Sequence, residues 1–203
     1  MNWRIITGAL LALAASTQYG FAADPRYPDW PCVQTKVPEI SVAAVWAGPS
    51  LDDVQDKWKD DATNSALVAK LAARRTPLKE AEKDIKDFLA GSPDKITSGK
   101  LLFSGLFDTL NAQRSAVLMG LERVARKQRE AAEKIRANTI DLQGLQSASP
   151  PDQSKIDDLS NQLLWETRIF EDRRRVVKYV CEVPTEIDRR LFALGRMIQQ
   201  QLK

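Results

Sequence analysis

Histidine is missing from all 203 residues. Its absence removes Ser–His and Cys–His nucleophile pairs, His-ligated zinc and the commonest general base at neutral pH. Long apolar runs are scarce too. The clearest, Ile5 to Ala15, falls short of the roughly 20 residues a membrane-spanning helix needs, and no later segment is apolar for long enough. Phosphate-loop chemistry is missing, since Gly99-Lys100 stands without the rest of such a motif. Ser92-Pro93-Asp94-Lys95 matches a bare S-x-x-K pattern, but the companion S-D-N and K-T-G elements of penicillin-binding enzymes are absent, so the four residues read as a linker. A strong charge of either sign is lacking as well: 30 basic against 27 acidic residues give a net charge of +3, which does not point to nucleic acid. These absences favour a non-catalytic protein without a cofactor.

The N-terminus has the pattern of a secretory signal peptide. One positive charge, Arg4, precedes the apolar run, and Gly20-Phe21-Ala22 places small residues where a signal peptidase reads. The expectation is a signal peptide over 1–22, cleavage between Ala22 and Ala23, and a periplasmic product without a transmembrane segment. Only two cysteines exist, Cys32 and Cys181. An even count in an oxidising compartment predicts one disulfide between them. It would close a loop of about 150 residues, which contributes about 5 kcal/mol in the chain-entropy account.

Half of the ten prolines fall between residues 24 and 49, with Tyr27, Trp30 and Trp46 among them. Proline at that density disfavours helix, so 23–49 is expected as an extended Pro/aromatic arm lying on a helical domain over 50–203. Alternation at Ile40, Val42, Ala44 and Trp46 would suit a short strand, although no partner strand is evident. Shorter packed helices are expected over 50–91. The first starts at Ser50 with Leu51, Val54 and Trp58 on one face; the others cover about 62–74 and the stretch after Thr76-Pro77, which Gly91 and Pro93 end.

Beyond residue 100 the pattern becomes regular. Alternating steps of four and three from Phe103 to Leu145 mark thirteen positions, of which only Arg114, Gln128 and Asn138 are polar. That is a coiled-coil-like seam on one long helix. Ser147 to Ser154, with Pro150-Pro151, reads as a turn, and Ser154 with Asp157 resembles a capping box. A second seam runs from Ile156 through Leu163, Phe170 and Val177 to Leu191 and Ile198, crossing Pro184, where a kink and a break are both open. The two seams predict an all-α fold built on a long antiparallel helical hairpin, with arms of about 100–146 and 154–202. Facing residues should have numbers summing to about 301. That register sets Gln128 against Arg173 and Gly120 against Cys181, where the glycine would leave room for the disulfide.

Two charged groups are candidate sites. Asp52, Asp56 and Asp60 would stack on one helix face as weak metal ligands, although a straight helix supplies too few oxygens for calcium. The hairpin's middle is basic: Arg126, Lys127 and Arg129 on one arm face Arg173, Arg174, Arg175 and Lys178 on the other. In an exported protein such a band suits an envelope protein or an anionic lipid surface. The leading expectation is therefore a helical interaction or scaffold protein of the periplasm, and the alternative is a ligand- or metal-binding accessory protein there.

Overall fold

The computed structural model describes residues 24–203, and its regular elements there are all helical. The expected signal peptide and its cleavage point lie outside the described residues. In chain order the helices are α1 (Val42–Val45), α2 (Ala62–Ala72), α3 (Leu78–Ala90), α4 (Lys95–Ser147), α5 (Gln153–Val180) and α6 (Val183–Gln201), with a short 3-10 turn at Lys57–Lys59.

Local chemistry accounts for most of the boundaries. Asp61 caps α2 by accepting from Thr63 N at 2.8 Å, and α3 begins directly after Pro77, a residue that suits a helix start. Asp94 caps α4 twice over, through Ile96 N at 3.0 Å and Thr97 N at 3.1 Å. From there α4 runs 53 residues without a proline, about 80 Å at 1.5 Å per residue. α5 is capped by Asp152, which accepts from Lys155 N at 3.2 Å. This displaces the expected Ser154–Asp157 box by two residues, because Asp152 comes first after Pro151 and its carboxylate suits the positive end of the helix.

The stretch 154–202 is two helices. Pro184 has no N–H to offer the carbonyl of Val180, so the ladder opens there and the proline settles into the first turn of α6, where the lost donor costs nothing. Cys181 and Glu182 between the helices keep right-handed dihedrals (φ −59°, ψ −25° and φ −78°, ψ −21°), so the chain continues in one direction.

Two regions result. In the body, α2, α3, the first third of α4 and α6 enclose one buried cluster that includes Leu71, Ile85, Leu102, Phe103, Leu191 and Ile198. Trp46 joins it by stacking on Phe103, with ring centroids 4.2 Å apart. Gly105 and Gly195 are there for closeness. A Cβ at Gly105 would fall 2.7 Å from Val68, and one at Gly195 would fall 2.8 Å from the carbonyl of Val45. Arg190 on α6 donates to Leu71 O (2.8 and 2.6 Å), a carbonyl left open at the end of α2, and to Thr76 O (2.9 Å) in the loop before α3. Burial lowers the pKa of that guanidinium. Arg114, the first polar residue in the α4 seam, is 2% exposed; it donates to Asp188 at 2.8 Å and to Pro38 O at 3.2 Å.

Beyond the body, α4 and α5 pack on each other. Contacts descend along α5 and α6 as they climb α4: Arg114 with Asp188, Gln128 with Phe170 O, and Asn138 with Glu166. The half-buried positions of α4 past residue 124 include 128, 131, 135, 138, 142 and 145, those of the four–three spacing. On α5 they include 159, 163, 166, 170 and 177.

Two local expectations fail. Within the stretch expected as an extended arm, Val42–Val45 make one turn of helix. Val45 and Trp46 reach the core from that turn, and no strand exists among the described residues to pair with. Nor does a helix start at Ser50: residues 51–56 form turns, and Asp56 has φ 62°. Tertiary anchors win there. Val54 is buried, Asp53 pairs with the buried Lys100, and Trp58 Nε1 donates to Asp108 at 2.8 Å. A helix would also have stacked Asp52, Asp56 and Asp60 as like charges at four-residue steps.

Candidate partner-docking surface

The Cys32–Cys181 disulfide forms, with Cα atoms 5.6 Å apart. It fastens the segment 24–41 to the junction of α5 and α6, and further bonds press that segment onto α4. Asp29 takes Arg126 at 2.8 Å and also Arg129. Lys36 takes Glu122 at 2.6 Å, and Gln34 Nε2 donates to Cys181 O. The Arg126 guanidinium, then that of Arg129, holds the Asp29 carboxyl below the usual carboxylate range.

The basic band is thereby divided. Arg126 and Arg129 are occupied within the chain by Asp29. Arg174 pairs with Glu171 at 2.8 Å, and Arg175 with Asp172, each one helical turn back. Lys127, Arg173 and Lys178 make no ion pair among the described residues, and neither does Arg123, which the sequence reading passed over. The α4–α5 seam separates these cations onto two flanks. On one flank lies a hollow of about 520 Å³ between the disulfide-bound segment and the two helices, with Lys178 and Arg174 on its edge. On the other flank lies an open groove of about 650 Å³ edged by Arg123, Lys127 and Arg173.

Valines floor the second groove: Val117 and Val124 from α4 face Val176, Val177 and Val180 from α5, with Leu121 beneath. A smaller depression of about 230 Å³ continues it toward Ile135 and Ile169, sharing Arg173. Val176 is 58% exposed and Trp165, on the same side of α5, is 60% exposed. The expected role of Gly120 is corrected here. A Cβ on Gly120 would meet nothing within 4 Å, because the disulfide lies on the opposite flank and Gly120 borders the open groove. Arg173 is exposed, and Gln128, its expected seam partner, donates to Phe170 O at 3.0 Å instead.

Asp52, Asp56 and Asp60 do not share a helix face, and no group of three or more acidic, cysteine or histidine side chains among the described residues is close enough to hold a metal ion. No described helix is long and apolar enough to cross a membrane. The apolar flank was readable in part: Trp165, Ile169, Asp172, Val176 and Tyr179 repeat the four–three spacing one face away from the seam. No known family, characterised protein or solved structure matches this chain.

Proposed function

We propose that this is a non-catalytic interaction protein of the bacterial envelope, exported to the periplasm, whose α4–α5 pair forms a helical hairpin that docks a protein or an anionic envelope surface. The observation that supports it most is the open apolar groove edged by Arg123, Lys127 and Arg173, cations without acidic partners among the described residues. Apolar surface with a charged edge on a soluble face is the usual makeup of an interaction site. A disulfide fits an oxidising compartment. The segment 24–41 acts as an arm strapped across one flank, which leaves the other flank for docking.

The test is charge reversal. Lys127→Glu with Arg173→Glu should cut cross-linked partner recovery from native envelopes, and wild-type recovery should fall as salt rises and screening shortens. Reversing Arg174 and Arg175, already paired on the helix surface, should have the smaller effect. Unchanged recovery in the first pair, at both low and high salt, defeats the proposal.

A further inference from the structure

We infer that the groove on the Gly120 flank seats an acidic amphipathic helix of another protein. This rests on the docking reading above and names the chemistry of its partner. Shape is the first support. Two helices side by side leave a valley that a third helix fills by packing its ridges into theirs. The groove and its continuation extend from Val117 to Ile135 on α4, about 27 Å, or five helical turns. A bilayer surface is flat and cannot enter such a valley.

Gly120 is the second support. Glycine inside a helix is less favourable than alanine. At Gly105 and Gly195 the fold itself demands the glycine, because a Cβ would collide with a neighbour. At Gly120, as at Gly144 farther along α4, nothing in the chain comes near, but only at Gly120 does that open space lie over the groove. The space above it suits the close approach of another backbone.

Charge selects the occupant. Arg123, Lys127 and Arg173 edge the groove unpaired among the described residues, whereas Asp172 in the groove is engaged by Arg175 and Glu166 in its continuation by Lys134. A second copy docking through this face would set like charges against each other. A helix with aliphatic residues at i, i+3, i+4 and i+7, flanked by Asp and Glu, fills the valine floor and neutralises the edge.

The experiment pans a display library of randomised helical peptides of about 18 residues against the full disulfide-bonded protein. Enriched sequences should carry an apolar stripe with acidic flanks. Their binding should fall about tenfold or more on Gly120→Leu, which fills the groove, and on Lys127→Glu/Arg173→Glu, losses typical of an anchor position. Circular dichroism melts verify that the variants fold, and Gly120→Ala should melt no lower than wild type. Enriched sequences that are basic, lack the stripe or bind Gly120→Leu equally well overturn the inference, as does the absence of any enrichment. Sedimentation showing a dimer that Gly120→Leu abolishes would reassign the groove to a second copy. Flotation with phosphatidylglycerol vesicles keeps the two proposals apart: charge-dependent flotation without peptide enrichment defeats the helix partner and leaves the docking function standing.

Discussion

Leu102 to Leu106 are five consecutive buried residues of α4, whereas past Leu121 that same helix has no buried residue and from Gln128 to Leu145 its seam positions are half-covered. The first stretch is apolar nearly all round and has α2, α3 and α6 packed about it; the second is charged on most faces and has α5 as its one helical neighbour, with the 24–41 segment laid on its near part. One continuous helix thus belongs to two regions of different burial. The body holds the apolar burial that resists unfolding, and the outer pair presents side chains to the outside with little beneath them.

Five measurements would break or sharpen that contrast. The largest effect is expected at Phe103, fully buried and stacked on Trp46. Phe103→Ala should destabilise by about 3–5 kcal/mol in denaturant titration, and a value near that of an outer-pair variant would dissolve the distinction. Next, Cys32→Ser with Cys181→Ser should destabilise by about 2–4 kcal/mol, since the bridge closes 149 residues of separation around most of the body. If the midpoint does not move, the bridge holds only the 24–41 segment and not the fold. Leu142→Ala, half-buried in the outer seam, should cost about 1 kcal/mol, well below a full core truncation. Native-state hydrogen exchange should find the amides around Leu142 opening at lower free energy than those around Leu106; equal protection would make the two regions one cooperative unit.

The smallest effect concerns pH. Because Arg126 and Arg129 depress the Asp29 pKa, the attachment of the 24–41 segment is at full strength above the ordinary carboxylate range, about 4. It weakens as pH falls through the lower, folded value. The protection factors of the amides in residues 26–36, which remove the intrinsic slowing of exchange in acid, should therefore fall on acidification below about pH 4. Asp29→Asn should show fast exchange already at neutral pH, and a variant with a wild-type profile would remove Asp29 from that role.

Much of the helical content was legible in the residues, for physical reasons that also explain where legibility stopped. The four–three spacing between Gln128 and Leu145 marks the positions that are half-covered, because one neighbouring helix leaves periodicity as the dominant constraint. The pairing of two cysteines needed only their number and the expectation of an oxidising compartment. Residues 51–60 could not be read that way. Their amphipathic spacing is real, yet Lys100 and Asp108, far along the chain, pull Asp53 and Trp58 into turns. The divided basic band had the same cause: Asp29, about a hundred residues from Arg126 and Arg129, claims both of them. Composition shows a surplus of charge but not which cations a distant acid has taken.

The unbroken course of α4 has a mechanical meaning. The return path is jointed at Cys181 and Glu182, whereas α4 crosses from the body to the far turn without a joint. It is therefore the one helix that connects the two ends without interruption. From Leu121 to Ser147 it projects about 40 Å, so a tilt of about 5° at its root sweeps the tip through roughly 3.5 Å. A small rearrangement among α2, α3 and α6 that tilted α4 would be magnified into a displacement at the tip large enough to make or break a contact.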